Sequence, residues 1–143
     1  MHTSELSIAV AQPFDFDLTS QFLAGFSPMM GEVALREGAL GKTWLHEAQP
    51  VTAELRPGRG GLVCTLTSPK PIRDETRAAV AARVSFFLGA DDELAPFHAV
   101  AARDRAFAPI ARRLRGLHHP KFPTPFEAAC WALVNQRIPL AQA

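Results

Sequence analysis

Between residues 32 and 68 the chain alternates. Val51, Ala53 and Leu55 are separated by Thr52, Glu54 and Arg56, the two-residue period of a strand with one face buried and the other wet. The run RPGRGG over 56–61 turns the chain into LVCTLTS, a hairpin partner. Two further strands are predicted over 33–36 and 40–46, joined by a turn at Glu37 and Gly38, which makes a four-stranded antiparallel meander with one wet face. Ahead of it, SIAVA over 7–11 reads as a short strand. After the turn at Gln12 and Pro13, Asp15 and Asp17 offer an N-cap for a helix over 18–26. Beyond the meander, Asp74 is the expected cap of a helix over 75–88. There Val80, Val84, Phe87 and Leu88 keep helical spacing up to a stop at Gly89. Two helices laid on one face of a sheet close an α+β unit, expected over 1–89.

From Asp91 onward the pattern is helical throughout. Leu94, Phe97 and Val100 mark one short helix, and Phe107, Ile110, Ala111 and Leu114 mark another. GLHHPKFP over 116–123 reads as a loop. Thr124, Pro125 and Glu127 then form a capping box with proline at the first helical position. In this last helix, apolar residues run unbroken from Ala128 to Val134, so it is apolar on every side and needs partners all round. The remaining residues cannot supply them. The expectation is that 90–143 begins an all-helical unit continuing past Ala143 in a longer protein. Alone, the chain is expected to self-associate through Leu133 and its neighbours.

Composition changes this picture in two ways. Length (143 residues) and 48% hydrophobic content fit a globular protein with a real core, and the apolar runs fall short of the roughly 20 residues a membrane span needs. No charged segment followed by a long apolar core lies within residues 1–30, so a cytoplasmic protein without a membrane partner is expected. Net charge is only +1, but residues 1–98 carry 8 Lys/Arg against 12 Asp/Glu, whereas 99–143 carry 7 against 2. A basic C-terminal stretch suits a polyanion, and equally an ordinary solvated face. Cys64 and Cys130 have no paired spacing and are read as small buried apolar residues. His118 and His119 lack a Cys or carboxylate cluster, so they read as plain loop residues, and no metal or cofactor is expected.

Two segments carry a resemblance: QPFDFDLTSQFLAGF near the start and LRGLHHPKFPTPFEAACWALVNQRIPLAQA at the end. Together with the order of elements, they resemble the DNA-3-methyladenine glycosylase II enzymes of the helix-hairpin-helix glycosylase superfamily. The resemblance implies a sheet similar to one repeat of the TATA-box binding protein, followed by the first helices of a helix-hairpin-helix domain. It implies base excision repair: a double-helical DNA partner, an alkylated purine flipped out of the stack, aromatic rings that hold it, and an Asp that assists its departure. That Asp and the Gly-rich hairpin would lie beyond the point matching Ala143. The chain therefore carries no catalytic residue, and alone it is expected to be inactive.

By spacing alone Phe22 reads as a core residue beside Phe26; the resemblance places it at the pocket aromatic donated by the first helix and brings the two readings level. Arg137 follows Gln136 where related enzymes place an apolar wedge, usually Leu, so Asn135, Gln136 and Arg137 become candidates for DNA contact. An exposed helix-end cation is the plainer reading of Arg137. Arg112, Arg113, Arg115 and Lys121 could meet phosphates or simply face water. Trp131, inside the apolar run, is expected to be core. The readings that compete with a glycosylase are a non-catalytic DNA- or protein-binding module and a purely structural fragment. Which alkylated bases would be excised is not legible.

Overall fold

The computed structural model describes residues 1–136. Its meander consists of β2 (Val33–Arg36), β3 (Ala39–His46), β4 (Gln49–Gly58) and β5 (Gly61–Ser68). All three of its connections are two-residue turns, and in the first two, Glu37–Gly38 and Glu47–Ala48, both residues have positive φ. Such primed turns match the twist of the strands they join. The predicted four strands are extended to five, because β1 (His2–Ala9) pairs antiparallel with β5 and gives the order β1-β5-β4-β3-β2. The strand expected over 7–11 thus begins earlier and ends earlier. Its inward positions Leu6 and Ile8 lie opposite Cys64 and Leu62, so registry with β5 decides its extent.

One face of the sheet is apolar. Leu40 faces Leu55, Trp44 faces Val51, and Leu55 faces Cys64, all buried. Two helices cover this face, α1 (Phe16–Gly25) and α2 (Asp74–Leu88). Asp15 caps α1, its Oδ1 accepting from the Leu18 N–H at 2.9 Å, and the helix turns Phe16, Thr19, Ser20 and Leu23 inward. In α2 the expected Asp74 cap is corrected. Arg73 stands at the N-cap without a side-chain bond, while Asp74 and Glu75 occupy the first turn, where the helix dipole favours them. Val80, Val84, Phe87 and Leu88 join one core with Leu23 and the sheet. Gly89 ends α2 with φ 62°, a left-handed conformation that glycine adopts without strain.

Three short helices follow: α3 (Ala95–Ala101), α4 (Ala108–Arg113) and α5 (Pro125–Val134). Thr124 Oγ1 accepts from the Glu127 N–H at 3.1 Å, as the capping motif predicts. No residue of α5 is buried. Cys130, expected inside, is exposed on it, and Trp131, also expected as core, is only partly covered. An apolar helix without a covering layer leaves even its largest side chains half in water.

The loop at 116–121 is corrected most. His118 is 1% exposed; its Nδ1 lies 2.6 Å from the Gly89 carbonyl and its Nε2 3.0 Å from the Pro13 carbonyl. Both partners are acceptors, so a neutral ring donates to one of them and an imidazolium to both. Backbone bonds reinforce this junction: Ala11 N–H to Ala90 O, Asp15 N–H to Gly116 O and Lys121 N–H to Phe87 O. A Cβ at Gly116, where φ is 94°, would meet Asp15 at 2.9 Å. The loop therefore crosses here only because glycine lets the backbones touch.

Candidate functional site

Helix α1 presents two faces. Its core stripe buries Leu23 at 2% exposure, while Phe22 beside it is 41% exposed. Phe22 stacks on Phe26, one turn on, with centroids 5.8 Å apart and planes at 14°; residues four apart in a helix are neighbours on its surface. Phe26 meets Trp131 of α5 edge-on at 6.0 Å, and Trp131 meets Phe122 at 6.1 Å. Four aromatic rings from α1, its C-cap Phe26, α5 and the loop between α4 and α5 thus form a continuous chain.

This chain walls two adjoining cavities. One, of about 390 Å³, is lined by Phe22, Phe26, Met29, Phe87, His119 and Phe122, among others. The second, of about 380 Å³, shares Met29 and Phe122 and adds Trp131, Lys42 and Glu32. Both volumes fall in the range of about 300–1,000 Å³ usual for small-molecule pockets. A ring of delocalised electrons in an open, apolar wall can stack on a flat heterocycle, and its negative face favours a cationic one.

Lys42 is a residue that the sequence reading passed over. It occupies an inward position of β3 between Leu40 and Trp44, opposite Ala53, and its side chain is 5% exposed. The ammonium is held by Glu32 Oε2 at 3.0 Å and lies 5.5 Å from the Phe87 ring and 5.8 Å from Trp44. A buried ammonium is tolerated where a carboxylate and aromatic faces replace its water. The signal was present: a charge in the inward phase of an alternating strand.

The predicted DNA-contacting residues are placed unevenly. Arg113 closes α4 and Arg115 lies just beyond it, both exposed, and neither pairs with a carboxylate among the described residues. Lys121 is tied to Asp92 at 2.6 Å and sits over the Phe86 ring at 5.3 Å, so much of its charge is used internally. Asn135 caps α5, its Nδ2 donating to the Trp131 carbonyl at 3.0 Å, and Gln136 follows with its side chain exposed. Arg137 lies outside the described residues. The structure brings Phe22 and Lys121 to one cavity but leaves Arg113 and Arg115 outside its lining. Among the described residues no group of His, Cys, Asp and Glu could hold a metal ion, and no helix is long and apolar enough to cross a membrane.

Comparison with known proteins adds three findings. A DNA-3-methyladenine glycosylase of Bacillus subtilis (strain 168) is 30% identical over 82 residues, which are 57% of this chain and 27% of that protein. A solved 3-methyladenine DNA-glycosylase from Archaeoglobus fulgidus aligns with a TM-score of 0.69 at 13% identity, over 96% of this chain and 46% of that one; at that identity the likeness is one of fold. No family model matches the chain. The chain is thus related over part of its length to a DNA-3-methyladenine glycosylase, and it spans less than half of each of these two proteins.

Proposed function

We propose that this chain is the N-terminal part of a monofunctional DNA glycosylase that flips and excises alkylated purines of the 3-methyladenine type. The observation that carries the reading is Phe22. Within a stretch that resembles the family's opening segment, the ring stands open on a cavity wall and is backed by Phe26. An alkylated purine is cationic or has a weakened glycosidic bond, so an enzyme need only hold it against electron-rich rings and stabilise the departing sugar. The carboxylate for that second task belongs to the length not spanned here, so the 143-residue chain is proposed to be inactive alone.

On this reading residues 1–89 are a TATA-box-binding-protein-like unit and 90–143 begin the helix-hairpin-helix domain, whose further helices cover α5. Arg113, Arg115 and Lys121 meet phosphates, and Asn135, Gln136 and Arg137 approach the duplex where the base leaves. The protein works in the cytoplasm at the nucleoid. A binding module that used its open sheet face on DNA is less well supported: that face sets Glu5 and Glu54 on either side of Thr65, and Arg56 is already paired with Glu54 at 2.9 Å. The test is single-turnover release of 3-methyladenine from alkylated duplex by the protein of the complete reading frame, against its Phe22→Ala variant and the 143-residue chain. Release by the complete protein, sharply reduced by Phe22→Ala and absent from the shorter chain, is expected; no release by the complete protein overturns the reading.

A further inference from the structure

Helices α3 and α4 enclose a separate cavity of about 340 Å³, lined by alanines of both segments together with His98, Arg112 and Arg115. Three features of it converge. Alanine walls leave the space unfilled by their own side chains, so the polar groups are not buried under bulk. Arg112 and Arg115 are three residues apart, joined by the Arg115 N–H to Arg112 carbonyl bond, so two like charges share one side of the turn, an arrangement that is unfavourable without a counter-charge. His98 lines the same cavity, and its Nε2 is buried without a hydrogen-bond partner; a desolvated ring nitrogen left unmatched is costly.

The electrostatic surroundings point the same way. Between residues 99 and 126 the single acid is Asp104, and its Oδ1 already accepts from the Ala106 and Phe107 N–H groups. Among the described residues, Arg103, Arg105, Arg112, Arg113 and Arg115 make no ion pair. By contrast Lys42, Arg56 and Arg77 of the earlier elements each hold a carboxylate. Among the described residues no carboxylate pairs with the arginines around this cavity.

We propose that the cavity between α3 and α4 is a phosphate-binding subsite, in which Arg112 and Arg115 grip the oxygens and the His98 ring turns its Nε2, closed from solvent in this conformation, to donate to one of them. Guanidinium forks suit the tetrahedral anion, and alanine walls let it approach the backbone. The proposal rests on the function given above only for the source of the phosphate, which is then a backbone phosphodiester held away from the Phe22 cavity. The alternative source, a small phosphate-bearing molecule, shares the same chemistry.

The test uses the 143-residue chain and a double variant, Arg112→Gln with Arg115→Gln, whose side chains are exposed and whose folding is checked by melting. Inorganic phosphate is titrated at constant ionic strength while the His98 ring signals are followed by NMR, and duplex affinity is measured against salt. The expected result is a saturable shift of the His98 ring that weakens at least about tenfold in the double variant, as lost charge-assisted bonds require. The slope of log affinity against log salt should also fall by roughly 0.9 for each arginine removed. Arg103→Gln, outside the cavity, should leave the phosphate titration unchanged. Saturable phosphate binding with an unaltered duplex slope would keep the subsite and assign it to a small phosphate-bearing molecule. A lowered slope with an unresponsive His98 ring would mean a general basic surface and overturn the proposal, as would a non-saturating shift equal in both proteins. Failure of base release by the complete protein would leave the phosphate titration standing, so the two readings fail separately.

Discussion

Replacing one member of the Lys42–Glu32 pair should have very unequal consequences depending on which member is removed. The ammonium is almost wholly buried, whereas Glu32 is 63% exposed, with 3.0 Å between Nζ and Oε2. At an effective dielectric constant of about 20 that separation gives a gross attraction of roughly 5 kcal/mol, trimmed because water screens the carboxylate. Stripping the ammonium of water costs several kcal/mol, so pair and burial nearly cancel. Lys42→Met keeps an unbranched stem among Leu40, Trp44 and Phe87 and should change stability by less than about 1 kcal/mol, in either direction. Glu32→Ala leaves the ammonium buried and uncompensated. It should cost about 2–3 kcal/mol, less than for a fully buried pair because Glu32 is half in water. In a chain of this length that is a fall of very roughly 6–12 °C in Tm. The double variant should recover to within about 1 kcal/mol of the parent. Urea and thermal unfolding of the four proteins at low salt measure all of this. If Lys42→Met proves as damaging as Glu32→Ala and the double variant recovers nothing, the ammonium is stabilising in itself and the reasoning fails.

Other consequences are as direct. Leu23→Ala should cost about 2–5 kcal/mol because it empties a closed site, whereas Phe22→Ala, which opens onto solvent and leaves no sealed void, should cost about 2 kcal/mol or less; equal losses in parallel melts would make Phe22 a core residue. Burial pushes the Cys64 thiol up from its ordinary 9.0 to about 12, so a thiol reagent at pH 8 should modify Cys130 alone in the folded chain and both cysteines in denaturant. The folded state holds the Cys64 proton more tightly, so its contribution is complete below pH 9.0 and is lost as the pH rises towards about 12; a stability profile that falls no more steeply across that window than that of Cys64→Ala refutes the burial. His118→Ala empties a buried side-chain site and removes the link to the Pro13 and Gly89 carbonyls, although the Gly89 oxygen keeps its bond from the Asp92 N–H, and should cost about 2–3 kcal/mol in denaturant melts; a change under about 1 kcal/mol counts against the bridge. With Phe126 at 77% and Leu133 at 68% exposure, sedimentation should detect self-association that Leu133→Glu relieves; a monomer at all concentrations would show that these side chains are stable in water.

The sheet was legible because alternation is a local property: Val51, Ala53 and Leu55 declare their face without knowing their neighbours. β1 was only partly legible, since an edge strand is fixed by its partner, and His2, Thr3 and Ser4 lack the apolar rhythm that Leu6 and Ile8 supply. Phe22 was legible as a candidate but not as a choice, because spacing puts it next to the buried stripe and only the structure separates it from Leu23. His118 was out of reach: its partners lie 29 and 105 residues away, and nothing local distinguishes it from His119. Trp131 misled for the opposite reason, since an apolar run states a need for partners without supplying them.

The junction around His118 bears on the order in which the protein is made. Synthesis proceeds from the N-terminus at roughly 5–20 residues per second. Once Gly89 has been added, every residue of the sheet and of both covering helices is present, but the carbonyls of Pro13, Phe87 and Gly89 still await His118 and Lys121. For the seconds it takes to add those residues, the nascent sheet is shaped yet unlatched, with the end of α2 free to fray. The latch then closes from a segment that also carries His119, Lys121 and Phe122 of the aromatic cavity wall. The step that finishes the first part of the molecule is therefore the step that builds its pocket.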